Sequence, residues 1–195
     1  MDAGKLNTRI KILDYRLIDD VWQWVEAGGA WAMPEYKERV IYSPYAIARP
    51  GVKLTIRRQP FTPAFALDMA GKHYVVATVE DLPTERYLVV TAAAMTPMLC
   101  VGEQPTITYD DLRRPVYGLP QITRFYGVLS ERFVNWMQDK PNAEITQTQI
   151  LTVPKAIALV SGQTVTVGTD VYAVTRCYLT DEYRNDYEVV RKEDA

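Results

Sequence analysis

The sequence is short of the residues that build metal centres and nucleophilic sites. Its 195 residues include one histidine, His73, and two cysteines, Cys100 and Cys177. One histidine and two distant cysteines have no metal-ligand spacing, so no zinc site is expected from them. Nothing in the chain resembles a nucleophile elbow, a phosphate-cradling glycine loop or a Ser/His/Asp set, and no cofactor is expected. His73 opens an apolar run directly after a turn and reads as structural. The cysteines lie in apolar settings and read as small buried side chains of a reduced, cytoplasmic folding compartment, with a disulfide between them the lesser alternative. Neither sign of charge is in excess, with 22 Lys and Arg against 24 Asp and Glu. That balance excludes a surface that coats nucleic acid generally and leaves only local contact with DNA. No apolar run is long enough to cross a bilayer, and the N-terminus lacks the apolar core of a signal peptide, so a soluble protein with no membrane partner is expected.

What the chain has is alternation. Arg9-Ile10-Lys11-Ile12-Leu13 places Ile10 and Ile12 on one face of a strand, and Val21-Trp22-Gln23-Trp24-Val25 repeats the pattern after a turn at Asp19-Asp20. Gly28-Gly29 is expected to break the second strand, with Trp31-Ala32-Met33 resuming as a third. Leu54 to Arg58, Phe65 to Leu67, His73 to Val79 and Tyr87 to Thr91 add further strands, with Gly71-Lys72 as a tight turn. Six or seven short strands in the first ninety-odd residues predict an all-β fold, a small β-barrel or sandwich over residues 1–92.

Pro34, Pro44, Pro50 and Gly51 fall in one stretch, so residues 34–51 are expected to form a long loop into which Glu35 to Ile41 could extend as strand. A loop of that length in a compact domain is usually functional or ordered by a partner. Residues 93–121, with Pro97, Pro105, Pro115 and Pro120, read as a Pro-rich linker containing one short strand at Thr106 to Tyr109. Residues 122–195 return to strand patterns and read as a second β-rich domain, with Phe133, Val134, Trp136 and Met137 in a strand or short helix. Its end echoes the first half, Tyr172 matching Tyr74 and Tyr187-Glu188-Val189-Val190 matching Tyr87-Leu88-Val89-Val90. A duplicated β fold and a second, unrelated β domain both fit.

Asp19-Asp20, Asp110-Asp111 and Asp181-Glu182 fall where turns are expected, the usual place for solvated acidic pairs, and a catalytic role for them is disfavoured. Trp22, Trp24 and Trp31 read as one aromatic cluster in the core or at a subunit contact. The alternative is a stacking platform for bases or sugars, but interleaved basic residues are missing.

Several of these pieces in order carry a resemblance. Gly4-Lys5-Leu6-Asn7-Thr8-Arg9-Ile10-Lys11-Ile12, a Trp-bearing second strand, Trp31-Ala32, a long loop, Leu54-Thr55-Ile56-Arg57-Arg58, and Gly71-Lys72-His73-Tyr74-Val75-Val76 with Val79-Glu80-Asp81 resemble the phage head-tail joining family, the head-closure or stopper proteins of long-tailed phages. The resemblance covers residues 4–91, about half the chain. It implies a non-catalytic virion protein of the neck, a β-barrel assembling as a dodecameric ring between portal or adaptor proteins and tail proteins. It further implies that the loop, Glu35 to Gly51 here, points into the channel, holds packaged double-stranded DNA and moves aside at ejection. Lys37, Arg39, Tyr42, Tyr45 and Arg49 are then the channel-facing positions. Repeated by symmetry, the three cations would give non-specific, salt-sensitive phosphate contacts, partly cancelled by Glu35 and Glu38. On this reading the segment 36–49 is dispensable for folding. A tail-terminator or tail-completion protein is the alternative within the same class, and a carbohydrate- or nucleic-acid-binding β module the alternative outside it.

Overall fold

The computed structural model describes residues 6–81, 86–132, 148–179 and 181–192. Their regular structure is all strand: β1 (Thr8–Ile18), β2 (Val21–Val40), β3 (Arg49–Arg57), β4 (Ala66–Met69), β5 (Lys72–Glu80), β6 (Tyr87–Ala94), β7 (Met98–Gln104), β8 (Ile107–Tyr109), β9 (Pro115–Tyr117), β10 (Gln121–Glu131), β11 (Thr148–Pro154), β12 (Thr164–Val167), β13 (Asp170–Tyr178) and β14 (Arg184–Arg191). The all-β class expected from alternation is what the structure has.

Twelve of these strands form one sheet that closes on itself twice. β1, β4, β5, β6, β3 and β2 make one ring, sealed by the β1–β2 pairing. β7, β12, β13, β14, β11 and β10 make a second, sealed by β7–β10. The circular order is the same in both, so the chain builds one six-stranded antiparallel barrel and then builds it again. Closure removes most of the open sheet edges that a two-barrel protein would otherwise expose. The Tyr74 and Tyr172 expected to correspond lie on the equivalent strands β5 and β13, and Tyr87 and Tyr187 on the equivalent strands β6 and β14. The barrels meet at a parallel seam where Val21 and Trp22 of β2 lie against Arg124 and Phe125 of β10.

Local chemistry explains the first ring. In β1, Ile10 and Ile12 are buried and Lys11 points outward to pair with Glu26 at 2.9 Å. Ile18 and Val21 face each other, so the turn is only Asp19-Asp20, and both have positive φ (49° and 61°). That is the two-residue type I′ hairpin whose twist suits paired strands. Ala70 and Gly71 make the same turn between β4 and β5, at φ 53° and 78°.

Two sequence expectations give way here. Gly28-Gly29 does not end β2, which runs unbroken to Val40. Ile12 pairs with Gly28 but Leu13 with Glu26, leaving Ala27 as a bulge that bends the strand instead of stopping it. The bend lets β2 leave β1 after Ala32 and continue along β3. Pro34 is tolerated because that stretch has a neighbour on the β3 side only. The second correction concerns residues 93–121. β6 runs to Ala94, and Met98–Gln104 is a full stave of the second barrel with Cys100 in its core. Pro97, Pro105 and Pro120 sit between strands, where a missing N–H breaks no ladder, and Pro115 is the first residue of β9 in a two-stranded hairpin. Of the former linker only Met95 to Pro97 connects the barrels, while β8 and β9 form a separate hairpin standing off the second barrel. Phe133, Val134, Trp136 and Met137 lie outside the described residues.

Each barrel has its own core. Ile10, Val52, Leu54, Ile56, Leu67, Val76, Leu88 and Val90 fill the first, and Phe125, Leu151, Ile157, Val165, Val174, Tyr187 and Val189 the second. Each such side chain stabilises by about 1.5–3 kcal/mol on burial. Tyr187, fully buried, spends its hydroxyl on Ile157 O (3.1 Å) and accepts from Leu159 N (2.9 Å). A third cluster, with Val40, Tyr42, Ala46, Val75, Met95, Val128 and Ile150, combines residues of both barrels. The positions expected to be functional lead into that third cluster.

Candidate functional site

The segment expected to be a free loop, residues 34–51, is mostly ordered ladder. Glu35 to Val40 belong to β2 and Arg49 to Arg57 to β3, with Val40 opposite Arg49, so the connection is only residues 41–48. That connection is a strap laid across the second barrel. Ala46 makes a bridge to Arg132, and Ile47 N donates to Glu131 O at 3.2 Å.

Tyr42 is 5% exposed, and its hydroxyl shares a 2.6 Å hydrogen bond with Ser130 Oγ on β10. Burial raises the Tyr42 pKa, against the lowering effect of that bond. Ser43 Oγ donates to Asp186 Oδ2 at 2.8 Å, and Thr152 Oγ1 donates to Asp186 Oδ1. Arg184 Nη1 donates to Tyr42 O at 2.7 Å, and its Nη2 to Ala77 O at 3.3 Å. Tyr45 stacks on Tyr178 with centroids 3.9 Å apart and planes 12° from parallel. The Tyr178 hydroxyl in turn donates to Glu188 Oε2 at 2.8 Å. Burial holds the Asp186 carboxyl above the ordinary carboxylate value, with the Thr152 and Ser43 hydroxyls and the Arg184 guanidinium opposing it.

The five expected channel positions therefore separate. Tyr42 and Tyr45 are spent in the joint between barrels, where an apolar ring surface is more stable packed than wet. Arg49 is half-buried at the start of β3, and among the described residues its Nε has no hydrogen-bond partner. Lys37 pairs with Glu35 on β2, and Arg39 is exposed there. Of the three cations, Arg39 is exposed and Lys37 and Arg49 are half-buried. Lys37, Arg39 and Arg49 thus lie on the β2–β3 ladder and not on the connection between those strands.

The tryptophans also separate. Trp22 stacks on Tyr15 at 5.8 Å, and Trp24 meets Tyr15 edge-on at 4.6 Å and His73 at 5.0 Å. Tyr15 donates its hydroxyl to Tyr126 O in the second barrel at 2.7 Å. This is a second fastening between barrels, made by the β1–β2 hairpin. Trp31 is apart from them and 56% exposed. His73 lies against Trp24, with its pKa lowered by burial to about 4 despite the nearby Asp68 carboxylate, so it is neutral at pH 7. Both cysteines are free, and burial pushes the Cys100 thiol up to about 12.

Sequence reading missed Asp186, Arg184, Ser130, Thr152 and Glu188. Ser43 and Asp186 are 143 positions apart, and no local pattern joins them. One signal was there to be used: Arg184-Asn185-Asp186-Tyr187-Glu188 continues β14 toward its start, and all five residues are buried. A strand that polar and that buried must find partners. Among the described residues, no group of three or more His, Cys, Asp or Glu side chains gathers to hold a metal ion. Compared with protein-family models, curated proteins and solved structures, the chain matches none.

Proposed function

We propose that this chain is a structural, non-catalytic ring component of the neck of a tailed phage, joining head to tail and retaining packaged double-stranded DNA by encircling the channel. Its partners on this reading are copies of itself in a ring of about twelve, portal or adaptor proteins above, tail proteins below, and the duplex in passage. What supports the reading is that the described parts of the pieces resembling the head-tail joining family fall on or beside β1, β2, β3 and β5 of a single closed barrel. The strap 41–48 has a different part from the one expected. Held by Asp186, Arg184, Ser130 and Tyr178, it ties the two barrels together and is not a free plug. Retention then falls to the ring as a whole, with exposed cations such as Arg39 giving weak, sliding phosphate contact.

The test is loss of the chain from an assembling phage, followed by imaging of heads. The expected outcome is filled heads that leak DNA and do not join tails, with ring-shaped density at the neck restored by complementation. Joined, full particles lacking the chain would overturn the proposal.

A further inference from the structure

Gln104 of β7 and Gln121 of β10 sit directly opposite each other in the second barrel, and residues 105–120 leave the barrel between them. They form an arm built on β8 and β9, with Gly118 N donating to Thr106 O at 2.9 Å near its root. Its tip is fixed by one side chain. Asp110 accepts from Leu112 N at 2.9 Å, from Arg114 N at 2.8 Å and from Arg114 Nε at 2.8 Å. The arm is shaped, yet it is bare. Every residue from Glu103 to Ile122 is exposed except Asp110, the Tyr109 side chain lying outside the description.

Bare does not mean polar. Ile107 and Tyr117 face each other across the hairpin and share a side, and they are 47% and 73% exposed. Leu112 at the tip is 71% exposed and Leu119 91%. A two-stranded hairpin is marginal in water without something against its apolar side. An exposed group of this kind marks a contact surface.

The first barrel carries a matching recess. A groove of about 480 Å³ is lined by Leu6, Gly29, Ala30, Trp31, Arg57 and Gln59, among others. Trp31 is its exposed wall, and Gly28 beside it has open space where a side chain would project. Arg57 at the groove is exposed, whereas Arg58 is held by Asp81 at 3.0 Å. The arm tip is of mixed charge, with Asp110 paired to Arg114 and with Asp111 and Arg113 both exposed, and Asp111 is the group there that can meet Arg57. An apolar-tipped arm and a groove of mixed lining, with Leu6 and Trp31 beside Arg57, Arg58 and Gln59, are thus on different barrels of one chain.

We propose that the arm 105–120 of one copy docks in the Trp31 groove of the next copy, with Leu112 against Trp31 and Asp111 facing Arg57. The contact is head-to-tail, so it adds copies in one direction until the rotation closes a ring or runs on as a filament. The inference specifies the self-contact that the ring reading above requires, but it does not depend on the neck assignment.

Replacing residues 105–120 by Asn-Gly makes an armless chain whose barrel still closes, because Gln104 and Gln121 already face each other across a two-residue span. Sedimentation of the full chain should show concentration-dependent assembly, and the armless chain should be a monomer with the same unfolding midpoint for its barrels. Leu112→Asp or Trp31→Ala should weaken self-association at least about thirtyfold. Arg57→Glu should do the same and Asp111→Arg should restore it. The decisive mixture is the armless chain, which keeps the groove, with Trp31→Ala, which keeps the arm: it should stop at a one-to-one heterodimer. A full chain that stays monomeric, an armless chain that assembles like the full one, or no heterodimer in the mixture overturns the proposal. Arm-dependent filaments without closed rings would leave the docking standing and remove the neck reading.

Discussion

Ser43 Oγ and Asp186 Oδ2 are hydrogen-bonded at 2.8 Å, one on the strap of the first barrel and the other on the inner part of β14 in the second. Thr152 serves the other carboxylate oxygen, so a single buried acid fastens two barrels that each close without it. Asp186→Ala leaves two hydroxyls unpaired and should cost about 2–4 kcal/mol at pH 7. Asp186→Asn keeps an acceptor and sheds a buried charge, so it should cost under about 1 kcal/mol. The pH sign is the reverse of the usual acid. The folded pKa is raised above 3.8, so ionisation opposes folding as pH rises through that window, and the wild type should gain on the Asn variant on acidification. Urea unfolding of all three at pH 7 and pH 5 measures this, and equal losses for Ala and Asn would sink the assignment of the joint to Asp186.

The strap itself predicts coupled unfolding. Exchanging residues 42–47 for a Gly-Ser segment of equal length removes the Tyr42, Ser43 and Tyr45 contacts but leaves the Val40 to Arg49 closure of β2 on β3. One thermal transition should become two, each barrel melting separately. Tyr45→Ala alone, losing the stack on Tyr178, should cost about 1–3 kcal/mol. Deleting 36–49 is a different experiment, since it takes Tyr36 to Val40 out of the β2–β3 ladder, and it should unfold the first barrel. Calorimetry separates the three variants.

His73 should set part of the acid limit. Its folded pKa of about 4 lies below the ordinary 6.5, because burial against Trp24 disfavours the imidazolium. A base with a depressed folded pKa contributes stability that is lost as pH falls from 6.5 toward 4. The loss should be about 3 kcal/mol. His73→Phe should flatten unfolding free energy over that range, while an unchanged slope would show the imidazole to be wet.

The Ala70-Gly71 turn has room for improvement. Ala70 holds φ 53° with a Cβ that disfavours it. Ala70→Asn makes Asn-Gly, the preferred type I′ pair, and should stabilise by about 0.5–1 kcal/mol, raising the melting temperature by a few degrees. A lower melting temperature would show that Ala70 has a packing role the turn chemistry does not reveal.

Alternation and turn chemistry by themselves determined most of the strands, the all-β class and the hairpin at Asp19-Asp20, because a period of two and a tight turn are local properties of neighbouring residues. The matching of Tyr74 with Tyr172 was legible for the same reason. Three things were decided only by the tertiary structure. The prolines of residues 34–51 read as loop from the sequence, yet Pro34 sits on a one-sided stretch of β2 where its missing N–H is tolerated. Met98 to Gln104 became a stave because a second ring needed a sixth strand, which no local pattern states. The strap turned inward because Ser43 and Asp186, 143 positions apart, meet only once both barrels have closed, and burial then favours paired hydroxyls and stacked tyrosines over an open loop in water.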